Sequence, residues 1–220
     1  MMIMSFGKTI NKLTSESTIT YLNFQNRDEY INFYYSLLNK ESDSIFITLN
    51  DKRIDLSKES FLLESLFTFN LNEKANLKFL YKNAERSLTD EEREEFTKIN
   101  ERIFNFLCKL YPENKLETIF CESVELADIL NLFKYRYANE CNNLTEYFCY
   151  ILKLILMSGK IKIVFLNDLL KLFNEDELKI IDEELRHLEL LIIDIKFVKI
   201  DDITVENMDS FTIDDNLFCY

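Results

Sequence analysis

Two apolar runs separated by a helix constrain this chain more than any other feature. IKIVFL (161–166) is a continuous apolar strand, and LLIIDIKFV (190–198) is strongly apolar, as strands buried on both faces are. Between them Asn174 stands three residues before Glu177, the spacing of a helix-starting capping box. Leu178, Ile181, Leu185 and Leu188 then follow on one helical face. Strand, helix, strand with both strands buried means a parallel βαβ unit. The fold class expected is therefore α/β, with a partly parallel sheet flanked by helices.

The N-terminal part adds strands. SESTITYLNF (15–24) and SIFITL (44–49) are rich in β-branched and aromatic residues, and RIDL (53–56) is a short third candidate after a turn at Asn50 and Asp51. Asn26, three before Glu29, starts a helix running to about Asn39. These strands are expected to complete the same sheet.

The middle reads as helical. Ser57 caps a helix carrying Phe61, Leu62 and Leu66, and Asn72 starts another that reaches about Arg86. Thr89 and Glu92 form a capping box before a long helix whose apolar residues are Phe96, Ile99, Ile103, Phe106 and Leu110. That three-and-four spacing is the seam of a coiled-coil-like helix pair. Its back carries Asp90, Glu91, Glu94, Glu95, Lys98 and Glu101, so it fits a solvated arm better than a core. Pro112 ends it. ETIFCE (117–122) is extended, a short helix covers about Val124–Phe133, and KYRY (134–137) is another strand candidate. Leu144, Phe148, Ile151 and Ile155 share a helical face that Gly159 terminates. The expected organisation is a head of residues 1–57 and 158–220, interrupted by a helical leg with a hinge, residues 58–157.

Composition excludes several functions. Gly7 and Gly159 are the only glycines, so a site built from glycine-rich backbone has nothing to be made from. FGKT (6–9) ends like a phosphate-binding P-loop, but the first glycine of GxxxxGK[ST] would fall on Met2. Asp168, at the end of VFLND (164–168), resembles a magnesium-binding strand end and means little without that loop. The five cysteines, Cys108, Cys121, Cys141, Cys149 and Cys219, contain no CxxC and read as reduced, mostly packed thiols. MMIMSFGKT has no charged start with a long apolar run, and Ile151–Met157 falls far short of the roughly 20 residues that cross a bilayer. A cytoplasmic location follows as the expectation. The net charge of −13 argues for a soluble surface and a cationic partner or divalent metal; taken alone it argues against nucleic acid.

Few residues carry chemistry. His187, the only histidine, lies between Arg186 and Leu188 with no nucleophile or acid indicated beside it. Asp201–Asp202 and Asp214–Asp215 are bare pairs that read as solvated. Glu117, Glu122, Glu125 and Asp128 cluster beside the expected hinge. As a bare set they too read as a solvated face; the metal they could hold is calcium, which takes six to eight oxygens in irregular geometry.

Several segments together resemble a known family: ESTITYLNF, then IFITLNDKRIDLSKES (45–60), SLFTFNLNEKANLKFLYK (65–82), YFCYILKLILMSGKIKIVFLND (147–168) and FTIDDNLF (211–218). In type and order they are similar to the short-form accessory spacer-acquisition protein of type II-A CRISPR systems. The resemblance covers nearly the whole chain. It implies an α/β head related to P-loop ATPases without a working nucleotide site, a helical leg, and a homotetrameric ring. It also implies calcium, double-stranded DNA ends threaded through a lysine-lined channel, and action with the CRISPR integrase and the RNA-guided nuclease. It implies no enzymatic activity. Members are acid-rich just before the hinge, whereas LETIFCESVE (116–125) keeps fewer carboxylates, leaving Glu117, Glu122, Glu125 and Asp128 as the metal positions. Within the matched segments and beside them, Lys52, Arg53, Lys58, Lys134 and Arg136 are the residues expected to meet phosphates. A ring reconciles DNA with −13 if its bases gather inside and its acids face out. The alternative class is an acidic protein-interaction adaptor without direct DNA binding, and a cryptic NTPase is third.

Overall fold

The computed structural model describes residues 1–6, 13–41, 44–109, 123–138, 141–157, 159–198 and 209–213. In chain order, β1 (Met2–Phe6), β2 (Leu13–Ser15) and β3 (Ile19–Phe24) precede α1 (Arg27–Leu38). Then come β4 (Ile45–Leu49), β5 (Lys52–Arg53), α2 (Leu56–Glu59) and β6 (Ser60–Leu63). The helices α3 (Lys74–Ser87), α4 (Asp90–Lys109), α5 (Leu126–Leu132) and α6 (Leu144–Met157) follow. The chain closes with β7 (Ile163–Asn167), a 3-10 turn (Leu170–Leu172), α7 (Glu175–Leu188), β8 (Leu191–Phe197) and β9 (Asp209–Ile213).

The expected βαβ unit is present as β7, α7 and β8, with Val164 opposite Ile192 in parallel register. Asn174 and Glu177 form the capping box that starts α7, and Leu178, Ile181 and Leu185 are its buried residues. The unit belongs to a five-stranded sheet in the order β6-β7-β8-β3-β9, parallel at every pairing. All six residues of β3 are buried, as a central parallel strand requires.

The N-terminal strands depart from expectation. Of them only β3 enters the parallel sheet; β2, β1, β4 and β5 make a separate antiparallel sheet in that order. The reason is visible in β1, where burial alternates along Met2–Phe6, the mark of a strand with one solvated face. Its inner side chains Met2, Met4 and Phe6 join Phe33 and Leu37 of α1 in a core against Leu22, Phe24, Phe165, Ile193 and Ile195 of the parallel sheet. That fixes α1 and the antiparallel sheet on one face. The crossovers β6–α6–β7 and β7–α7–β8 step across the sheet in the direction opposite to the β3-to-β6 step. Right-handed connection therefore puts α6 and α7 on the other face.

Three local expectations are corrected. Phe61 and Leu62 lie on the edge strand β6, paired with Val164 and Phe165, and not on a helix; α2 before it has four residues, capped by Asp55. The third N-terminal strand shrinks to Lys52–Arg53. KYRY is not a strand: Lys134 at φ 54 closes α5 in a turn, in which the Tyr135 N–H donates to Leu130 O and that of Lys134 to Asn131 O, and 135–137 have no regular structure. This is the Schellman pattern with lysine where glycine is usual.

Two compact units result, Met1–Phe69 with Cys141–Tyr220, and Asn70–Glu140. The second is shorter at both ends than the 58–157 leg read from sequence. Its regular elements among the described residues are α3, α4 and α5. Asn72 does not start α3, which Glu73 precedes. Its side chain instead donates to Tyr137 O and accepts from Tyr137 N, at 3.1 and 2.9 Å. Asn100 clasps the backbone of Val124 in the same two-bond manner. Among the described residues no helix is long and apolar enough to cross a membrane.

Candidate nucleic-acid interface

Open α/β sheets bind ligands beyond the carboxyl ends of their strands, where connections diverge to opposite faces. Here that point lies between β3 and β8. Between β3 and α1 stand only Gln25 and Asn26, with no glycine. Asn26 accepts from the N–H groups of Asp28 and Glu29 at 2.9 and 3.1 Å, and those two carboxylates occupy the first helical turn. A phosphate would meet spent donors and two negative charges. The crevice is also stitched by the Val198 N–H donating to Phe24 O at 2.9 Å. Phe6 ends an antiparallel strand, and Gly7, Lys8 and Thr9 fall outside the described residues.

At the carboxyl end of β7 the polar groups hold one another. Asn167 accepts from the Tyr30 hydroxyl at 2.7 Å, and the Tyr34 hydroxyl donates to Glu64 at 2.9 Å. Asp168 pairs with Lys171. Asp194, 2% exposed in mid-strand, accepts from the N–H groups of Leu169 and Leu170, both at 3.1 Å. Burial pushes its carboxyl up to about 6 against the pull of those donors. Asp194 thus anchors the turn after β7, and Asp168 is ion-paired with Lys171 beside it.

The five expected phosphate contacts divide between the two units. Lys52 and Arg53 are exposed on β5, with the Arg53 guanidinium 4.9 Å from the centroid of the Phe46 ring. Lys58 pairs with Asp55 at 3.2 Å. In the second unit Lys134 is exposed at the tip of the α5 turn, between Phe133, 79% exposed, and Tyr135, 49% exposed. Arg136 is committed internally. Its guanidinium donates to Tyr81 Oη, to Tyr135 O at 2.9 Å and to Asn131 Oδ1 at 3.3 Å. It braces the turn that displays Lys134.

Of the acidic set, Glu125 precedes α5 and Asp128 sits in its first turn, while Glu117 and Glu122 lie outside the described residues. So do Asp201, Asp202, Asp214 and Asp215. Among the described residues no group of three or more His, Cys, Asp or Glu is placed to hold a metal ion. His187 sits on the exposed back of α7 with Nδ1 2.8 Å from Glu183 O. Cys108, Cys141 and Cys149 are free thiols; burial raises the pKa of Cys149. An open cleft of about 610 Å³ lies along α4, lined by Thr97, Asn100, Glu101, Phe104, Asn105 and Ser123.

Sequence reading passed over one feature. Lys74, Lys78, Lys82 and Arg86 stand four residues apart and are all exposed on α3. That spacing was legible without a structure. No family model matches this chain, and no curated protein matches it.

Proposed function

We propose that the chain is a non-enzymatic CRISPR spacer-acquisition protein that binds double-stranded DNA ends without sequence preference. It acts as a homotetrameric ring, with calcium, alongside the integrase and the RNA-guided nuclease. On this reading the head is a P-loop-ATPase relative that has lost its phosphate cradle, and the second unit is an all-helical leg. The observation that carries the reading is the β3–α1 connection: a parallel strand runs into a helix through Gln25 and Asn26 alone, and the helix N-terminus is closed by its own cap. An α/β head without a nucleotide site is what the sequence resemblance leads one to expect.

A gel shift with linear and closed circular duplex, with and without calcium, tests it. Linear duplex binds, circles do not, and affinity falls steeply with salt as phosphate contacts release counterions. Equal binding to circles contradicts threading. A second reading, the acidic adaptor, draws on α4, a helix of 20 residues with none buried and an acidic first turn. No binding to any duplex at low salt, with calcium present, selects it.

A further inference from the structure

The chain carries 39 acids against 26 bases, so an exposed lysine ordinarily finds a carboxylate nearby. Lys98 pairs with Glu94 on α4; Lys179 pairs with Asp176 and Arg186 with Asp182 on α7. Helix α3 is different. Lys74, Lys78, Lys82 and Arg86 form one row at intervals of four, all exposed, and none joins an ion pair among the described residues. At 1.5 Å per residue the four cations stand about 6 Å apart and span about 18 Å.

The row is also kept against local cost. The other α-helices among the described residues each place an acid in the first turn, where the helix dipole favours it. The first turn of α3 holds none and begins with Lys74, and Glu73 before it makes no side-chain cap. The buried face of α3 fixes the row's direction. Leu77 and Tyr81 are 6% and 9% exposed, and the Tyr81 hydroxyl donates to Tyr135 O at 3.2 Å. Lys78 and Lys82 each follow a buried residue by one position, about 100° around the helix, and the row winds by about 120° from Lys74 to Arg86.

We infer that the α3 row Lys74–Lys78–Lys82–Arg86 is a binding surface for the phosphate backbone of duplex nucleic acid. An evenly spaced row of cations inclined to the helix axis suits a linear polyanion, whose charges recur at regular intervals, better than the scattered carboxylates of a folded protein. The inference rests on the duplex-binding reading above, and it assigns the contact to residues that reading did not name. Arg136 then serves as a positioning residue, tying the α5 turn to Tyr81 of the same helix.

The test is the triple variant Lys74→Gln, Lys78→Gln, Lys82→Gln in the full chain. Binding to linear and closed circular duplexes of several sequences is titrated over a range of salt. Neutralising three phosphate contacts lowers the salt slope by about 3. It also weakens binding at low salt about 100-fold, uniformly across sequences. The melting temperature stays unchanged because the positions are exposed, and arginine at the same three positions restores affinity. Should wild type bind and the glutamine variant keep its slope, the row is not the contact and the duplex reading stands. If wild type binds circles as well as ends and the variant loses both, threading falls and the row stands. Failure of wild type to bind any duplex overturns both. Polyglutamate competing as well as duplex at equal charge overturns the row's assignment to phosphate.

Discussion

The parallel sheet and helix α4 are built on opposite terms. In β7 and β8 the central side chains, 163–166 and 192–195, are all buried, and Phe165 and Ile193 are at 0% exposure. In α4 no side chain is buried; Ile99 is 41% and Phe106 60% exposed, though their spacing is that of a packing seam. The sheet is held by what it excludes from water. The helix is held by its capped start, by the Asn100 bonds to Val124 and by half-buried side chains such as Phe96 and Ile103. A chain can thus enclose one region and leave another with an apolar stripe that is partly exposed, at Ile99 and Phe106.

The sharpest way to break this contrast is truncation on each side of it. Phe165→Ala should cost about 3–5 kcal/mol in urea denaturation, the range for emptying a closed aromatic site. Phe106→Ala should cost less than about 1 kcal/mol at low protein concentration. Equal costs that shrink on dilution would mean that α4 is buried in an assembly, and the contrast would belong to the monomer alone.

Titration sharpens the contrast next. Asp194 has a folded pKa of about 6, above that of an unfolded aspartate. The native state therefore holds a proton that the unfolded chain gives up, and the stability from this group is full below about pH 4 and lost as pH rises through 6. Relative to Asp194→Asn, the wild type should lose about 3 kcal/mol between pH 4 and pH 7. A difference flat with pH would refute this. Glu92 on α4 has the opposite sign, since the Thr89 N–H and hydroxyl hold its pKa down. Its contribution is present at neutral pH and disappears in acid as its folded pKa is passed, and being exposed it acts only on the helix end.

Caps give the smallest effect. Asn174→Ala should lower global stability by about 1 kcal/mol, because α7 unfolds with the sheet. Thr89→Ala should leave global stability nearly untouched and speed amide exchange over the first turns of α4. Matching global losses would show that α4 unfolds with the sheet after all.

What was legible in the sequence follows the same line. IKIVFL and the Asn174–Glu177 box needed only neighbouring residues, and both elements are where they were expected. So is the Thr89–Glu92 box that starts α4. SFLL (60–63) carries no readable period, being four residues after a helical turn; only pairing with Ile163–Leu166 makes it a strand. KYRY alternates like a strand, and nothing short of glycine would have flagged the left-handed Lys134. Arg136 looked like a free cation because its partner Tyr81 lies 55 residues away. The α3 row, by contrast, was written in plain spacing.

The order of strands has one more consequence. Ile163 pairs with Leu191 across 28 residues, but with Ser60 across 103, because the whole second unit is spliced between β6 and β7. Closing the longer loop costs about 1 kcal/mol more in chain entropy. That extra cost falls on β6, a four-residue edge strand with a single partner. Any ordering of Asn70–Glu140 into a compact body before the sheet closes would bring the ends of that loop closer and shorten the search. The insertion thus bears on how quickly the strand beside it can find its place.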